Sequence, residues 1–206
     1  MADDVALPSA RSASRLDQRA RMRAGVVSLA VGVVLLGAKF VAYAITGSTA
    51  VLSDALESIV NVVAATFLIA SLRFAGIPAD HNHPYGHGKI EFFAAVFEGG
   101  LIAFAAVAIV WAAVRRLVLP EPIHEIDEGL ALTAGAALVN AVLGVFLLRE
   151  ARRLESTALA ADGKHVLSDV WTSAGVVAGL ALVRLTGLDW LDPLVALAVG
   201  AQLAFT

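Results

Sequence analysis

Two apolar segments of the chain carry the same spacing of polar side chains. In each segment an aspartate is followed by a second polar residue three positions later and by a third seven positions later. The two sets are Asp54, Glu57 and Asn61, and Asp162, His165 and Asp169. Because an α-helix repeats every 3.6 residues, positions i, i+3 and i+7 lie along one face. Each segment is therefore predicted to be a helix with a single polar stripe.

The two stripes predict a metal-binding pocket if their helices face each other in antiparallel orientation. Glu57 would then lie near Asp169, and Asn61 would lie near His165. Carboxylates with one neutral imidazole suit zinc, manganese or ferrous iron, and tetrahedral zinc in particular. Because the two carboxylates bring two negative charges, a divalent cation would neutralise this four-ligand pocket.

Interhelical hydrogen bonding is the alternative role for polar residues inside an apolar segment. It would account for Asn61 alone. It explains a pair of carboxylates less well, because a charge at the centre of a bilayer costs about 2.5–3.5 kcal/mol. Asp54 and Asp162 remain open between auxiliary ligands, vestibule charges and helix-end residues. Lys39 is expected to pair with a buried acid and not to contact a bound ion.

A histidine-rich segment follows the first polar stripe. It reads Asp80-His81-Asn82-His83-Pro84-Tyr85-Gly86-His87. A turn at Pro84 and Gly86 would bring Asp80, His83 and His87 together, and a carboxylate with neutral imidazoles forms a plausible second divalent site. Solvated loop histidines are the alternative. His81 and His124 are interpreted as bystanders.

The composition indicates that these residues lie on membrane-spanning helices. The chain of 206 residues is 59% apolar and only 16% charged, and it contains no cysteine. Its mean hydropathy is +0.80. These values exclude disorder, a basic nucleic-acid-binding face, disulfides and thiolate metal sites. Six stretches approach the roughly 20 apolar residues that a span needs. They are residues 25–46, 50–72, 90–114, 129–148, 162–186 and 190–206.

The distribution of positive charge predicts the orientation of this all-α membrane protein. With the N-terminus inside, eleven Lys and Arg residues lie on the cytoplasmic side and three lie outside. This bias follows the positive-inside rule and places both termini in the cytoplasm. Residues 1–23 are expected to form an Arg-rich cytoplasmic arm, and residues 24–206 a six-helix transmembrane domain. The predicted location is a multi-pass bacterial inner or plasma membrane.

The sequence resembles the cation diffusion facilitator family of divalent metal transporters. The resemblance covers residues 20–206 and rests on His83-Pro-Tyr-Gly-His87-Gly-Lys89 together with His165-x-x-x-Asp169. It implies a homodimer with a transport site between spans 2 and 5, and a second metal site in the span 2–3 loop. It also implies export of metal from the cytoplasm in exchange for protons. Zinc is the first candidate, followed by cadmium, iron and manganese. No other cofactor and no nucleic-acid partner are expected.

Two departures from the family pattern affect this interpretation. The span-2 ligand positions, usually His or Asp followed four later by Asp, hold Glu57 and Asn61, which leaves the metal preference open. Many members also continue into a cytoplasmic C-terminal domain, so the chain is expected to be a truncated or a short member. Metal ligands must be deprotonated, and His165 is the expected carrier of the coupling proton.

Three other functions are alternatives to metal transport. A membrane metalloenzyme is disfavoured because the chain has no His-Glu-x-x-His motif and no evident nucleophile. A passive channel fits less well, because conduction requires ions to leave a site easily. A non-transporting metal sensor or scaffold is the main alternative, since Asn61 is a weak and uncharged ligand. A flux measurement separates this alternative from transport.

Overall fold

The computed structural model describes residues 8–74 and 89–204. These residues form six α-helices and contain no β-strand. The helices are α1 (Pro8–Thr46), α2 (Thr49–Phe74), α3 (Lys89–Val118), α4 (Ile126–Arg153), α5 (Thr157–Thr186) and α6 (Leu191–Ala204). The all-α architecture predicted from the sequence is confirmed.

Five of the described helices are long and apolar enough to cross a bilayer. The sixth, α6, has 14 residues, which at about 1.5 Å per residue is about 21 Å of helix, short of the roughly 30 Å hydrocarbon core. Large apolar side chains such as Val34, Phe104, Trp111 and Trp171 are exposed on the outside of the bundle, as expected for surfaces that face lipid. The chain is a multi-pass membrane protein.

The first helix extends further than the sequence indicates. Residues 8–23, which belong to the predicted Arg-rich arm, are helical and continuous with the first span, because α1 runs from Pro8 to Thr46. Arg21, within this stretch, donates a hydrogen bond to the backbone carbonyl of Leu154 in the α4–α5 connection. The described part of the arm is therefore a helical extension of the first span that contacts the rest of the bundle.

Helix α2 lies at the centre of the bundle. It contacts α1, α3, α5 and α6, while α4 packs along α5 and α1. The predicted facing of spans 2 and 5 is confirmed by this packing. The connection between α1 and α2 is only Gly47 and Ser48, and Gly47 has a positive φ of 64°. Glycine adopts this conformation without strain, which permits a tight hairpin between α1 and α2.

Glycines set the close approach of α4 and α5. A β-carbon at Gly144 would lie 2.6 Å from Leu167 Cγ, and one at Gly163 would lie 3.1 Å from Leu147 Cβ. Asn140 lies one turn from Gly144 on the buried side of α4. The close contact thus brings the Asn140 amide within reach of α5.

Asp192 fixes the start of α2 against α6. Its carboxylate accepts hydrogen bonds from Ser48 Oγ and from the backbone N–H groups of Thr49 and Ala50. These N–H groups begin a helix and have no partner within it, so a carboxylate both pairs with them and stabilises the positive end of the helix dipole. This contact helps to set the position of the polar stripe on α2.

Candidate metal centre

Three carboxylates meet between α2 and α5. One oxygen from each of Asp54, Glu57 and Asp169 lies within 4.8 Å of the other two. Asp54 and Asp169 are almost completely buried, and Glu57 is partly buried. Asp54 and Glu57 are one turn apart on α2, so helical periodicity directs both towards Asp169. We refer to these three residues as the carboxylate centre.

Lys39 from α1 lies against the carboxylate centre. Its ammonium group is 2.9 Å from Asp54 Oδ1 and 3.0 Å from Asp169 Oδ2, and its side chain is fully buried. Ser173 donates a further hydrogen bond of 2.7 Å to Asp54 Oδ1. The prediction that Lys39 pairs with a buried acid is confirmed, and the lysine joins two acids.

Each carboxylate of the centre has one oxygen bonded to the protein and one without a partner. Lys39 and Asn140 donate to Asp169 Oδ2, and Thr172 donates to Glu57 Oε1 at 3.4 Å. The remaining oxygens are buried and have no hydrogen-bond partner: Asp54 Oδ2, Glu57 Oε2 and Asp169 Oδ1. An unpaired buried acceptor is costly, and a charged one more so. A cation bound to these three oxygens would remove that cost.

The charges of the centre match a divalent cation. Three ionised carboxylates and one ammonium leave two formal negative charges. The sequence predicted the same net charge, two negative charges, from Glu57 and Asp169 alone. The structure adds Asp54, and Lys39 offsets its charge. Carboxylate oxygens are hard ligands that suit manganese, magnesium and zinc among divalent ions.

Asn61 and His165, the other two predicted ligands, lie further along the same two stripes. His165 is outside the carboxylate centre, and it interacts electrostatically with Asp162 of the same helix. Asn61 Oδ1 and His165 Nε2 are buried atoms without a hydrogen-bond partner. Both therefore keep a ligand atom free, one turn from Glu57 and Asp169 respectively.

The two auxiliary candidates differ in their surroundings. Asp54 is fully buried within the carboxylate centre. Asp162 is 8% exposed and accepts a hydrogen bond from Ser28 of α1. The proposed loop ligands Asp80, His83 and His87, and the bystander His81, lie outside the described residues. His124 is exposed in the α3–α4 connection.

Three residues of this site were not predicted from the sequence: Asn140, Thr172 and Ser173. Asn140 is a buried amide in an otherwise apolar helix, which is a signal that the sequence contains. Ser173 follows Asp169 by one turn and thus continues the same stripe. Its partners on α1 and α2 depend on helix packing, which spacing within α5 does not specify.

Comparison with known proteins gives the family of the chain. Residues 25–206 match the model of the cation efflux transmembrane domain. The chain belongs to the cation efflux family. The match covers the six helices described above, apart from the first part of α1, and it includes every residue of the carboxylate centre.

Curated relatives of this cation efflux protein include transporters from several bacteria. It is 45% identical to the uncharacterized transporter sll1263 of Synechocystis over 88% of this chain and 58% of that protein. It is 30% identical to the cation-efflux pump FieF of Cronobacter sakazakii over 89% of this chain and 61% of that protein. For the FieF protein of Shewanella oneidensis the identity is 29%, over 85% and 59% of the two chains. The chain thus spans about three fifths of the length of these relatives, whose names describe transporters and pumps and not enzymes.

Proposed function

We propose that the chain is a carrier that exports divalent metal cations from the cytoplasm, with zinc as the first candidate. The observation that supports this most strongly is the carboxylate centre, with three free carboxylate oxygens buried among membrane-spanning helices. Buried acids in a membrane are costly, and in transporters they mark the path of an ion. Membership in the cation efflux family and the names of the FieF relatives support the same activity.

The proposed transport site combines the carboxylate centre with the two free ligand atoms beside it. Glu57 and Asp169 supply two carboxylates, and Asn61 and His165 reach the same ion from one turn further along each helix. Asp54 is a further ligand because its Oδ2 is free and buried in the same cluster. An imidazole next to oxygen ligands favours zinc over magnesium or calcium.

The proposed mechanism exchanges metal for protons at this site. Metal reaches it from the cytoplasmic side past Asp80, His83 and His87, and rocking of the helices opens the site to the opposite side. Protons compete with metal for the same ligand atoms, since only deprotonated ligands bind the ion. His165 carries the coupling proton in this scheme, because imidazole ordinarily titrates near neutral pH.

Proton coupling is tested with a matched pair of histidine variants. In reconstituted vesicles, His165→Ala should abolish proton flux driven by a zinc gradient. His124→Ala should leave it unchanged, because His124 is exposed and its hydrogen bond to Thr46 O comes from the backbone N–H, which alanine keeps. Unchanged coupling in His165→Ala would assign the proton to another group.

Transport itself is tested by zinc uptake into inside-out proteoliposomes under a pH gradient. Asp169→Asn removes one charge of the carboxylate centre at nearly constant volume, and flux should drop to that of protein-free vesicles. Asp127→Asn is the matched control, since Asp127 is exposed and paired with Arg184 at 2.9 Å. Zinc flux that survives in Asp169→Asn would contradict the proposal that the carboxylate centre is the transport site. Zinc binding without flux in the unaltered chain would favour the sensor or scaffold.

A further inference from the structure

Among the described residues, Lys39 is the only cationic side chain that bonds to the carboxylate centre. Its ammonium group donates to Asp54 Oδ1 at 2.9 Å, to Asp169 Oδ2 at 3.0 Å and to Ser173 Oγ at 3.4 Å. A charged lysine has three donor hydrogens and no acceptor, so all of its donors are used and it cannot ligate a metal. Its effect on a bound ion is therefore an effect of charge.

The ammonium group and a bound cation would use different oxygens of the same acids. Lys39 bonds to Asp54 Oδ1 and Asp169 Oδ2, whereas the buried oxygens without a partner are Asp54 Oδ2, Glu57 Oε2 and Asp169 Oδ1. A cation that binds to the unpaired oxygens therefore does not need to displace the ammonium group. The side chain of Lys39 is fully buried, so its charge is screened much less than a charge in solvent.

The charges of the site balance for one valence only. Three ionised carboxylates and one ammonium group leave two negative charges, which a divalent ion neutralises. A monovalent ion would leave one negative charge, and a trivalent ion would leave one positive charge. An uncompensated charge is costly in a buried site, because Coulomb energies grow as the dielectric constant falls. Without Lys39, the same three acids would match a trivalent ion.

We propose that Lys39 is a specificity-determining residue whose buried ammonium group makes the carboxylate centre select divalent over trivalent cations. The inference rests on the proposed function, since it concerns the valence of the transported ion. For iron, the site accepts the ferrous ion and rejects the ferric ion. Lys39 acts without contacting the ion, as a fixed positive charge held in place by Asp54 and Asp169.

Calorimetric titration of the purified full chain in detergent, with Mn²⁺ and with Tb³⁺, tests this selectivity. Lys39→Met should raise the affinity for Tb³⁺ relative to Mn²⁺ about 100-fold, the effect of one unit charge about 6 Å away at an effective dielectric constant of about 20. The difference in ionic size cancels, because the same two ions are compared in every variant.

A double variant separates the charge of Lys39 from its structural role. Lys39→Met combined with Asp54→Asn restores two negative charges, and the ratio of the two affinities should return to that of the unaltered chain although the lysine is absent. Arg184→Met is the matched control for net charge. It also removes one positive charge, but Arg184 is exposed and paired with Asp127, so the ratio should not change.

An unchanged ratio in Lys39→Met would overturn the proposal, and so would a double variant that keeps the ratio of the single one. If Lys39→Met does not fold, Asp54→Asn alone tests the same dependence. It leaves one negative charge at the centre and should lower the affinity for Tb³⁺ relative to Mn²⁺, and an equal or higher ratio would contradict the proposal. Absence of zinc flux together with the expected ratios would contradict the proposed transport alone.

Discussion

Lys39 Nζ lies 3.0 Å from Asp169 Oδ2, and both side chains are buried in the bundle. The same ammonium group bonds to Asp54, so one lysine of α1 connects acids on α2 and α5. Neighbouring charges of the same sign repel strongly in a medium of low dielectric constant. Lys39 therefore makes it possible to hold three carboxylates close together with their remaining oxygens free.

Lys39→Met should destabilise the bundle by about 3–5 kcal/mol, the usual cost of removing one partner of a buried ion pair. The variant leaves Asp54 and Asp169 without their cation, while the methionine side chain fills a similar volume. Thermal unfolding of the purified protein in detergent measures the loss. Lys39→Met combined with Asp54→Asn should recover part of it, since the double change removes one charge of each sign. Stability equal to that of the unaltered chain in Lys39→Met would show that the ion pairs contribute nothing.

Asn140→Leu should weaken zinc binding about 10–100-fold, the usual effect of removing a residue that orients a metal ligand. Asn140 donates to Asp169 Oδ2 and so helps to hold the Asp169 carboxylate in its orientation. Calorimetric titration with zinc in detergent measures the affinity. Thr133→Val is the control, because Thr133 is a buried polar residue of the same helix whose hydroxyl has no hydrogen-bond partner. Equal affinity for Asn140→Leu and the unaltered chain would exclude a positioning role.

The sequence was sufficient to predict the elements and the stripes of this protein, because both depend on local periodicity. Apolar stretches predicted the six helices, of which α6 is shorter than a span, and the i, i+3, i+7 spacing placed Glu57 and Asp169 on facing stripes. The helix ends were less accurate: α1 begins at Pro8, far ahead of the first apolar stretch. Arg, which is frequent in this stretch, continues a helix as readily as Leu, so hydropathy does not mark that boundary.

The partners of the stripe residues could not be predicted, since they depend on how separate helices pack. Lys39 was expected to find an acid, but its distance from Asp54 and Asp169 depends on the position of α1. Asn140 reaches Asp169 because Gly144 and Gly163 allow α4 and α5 to approach closely. Spacing within one helix carries no information about such contacts between helices.

Asp192→Ala should lower the stability of the bundle by about 1.5–3 kcal/mol, the range for hydrogen bonds to a charged group. It removes the acceptor for Ser48 Oγ and for two N–H groups at the start of α2. Asp192→Asn should cost less, because the amide keeps one acceptor oxygen. Thermal unfolding of both variants measures the difference. Equal losses in the two variants would show that the negative charge, and not the number of acceptors, provides the stabilisation.

The homodimer implied by the family resemblance is tested on α3. Gly99 and Gly100 are exposed on this helix, and a β-carbon at either position would meet no atom within 4 Å. Small residues on an exposed face allow two membrane helices to approach closely. Because the chain contains no cysteine, Gly99→Cys introduces a single thiol. Oxidation in membranes should therefore produce a covalent dimer on a non-reducing gel.

Gly175→Cys on α5 is the matched control, since Gly175 is also exposed with open space around it, and it should stay monomeric. Equal cross-linking at the two positions would indicate random collision, and no cross-linking at Gly99 would place the dimer interface away from this face of α3.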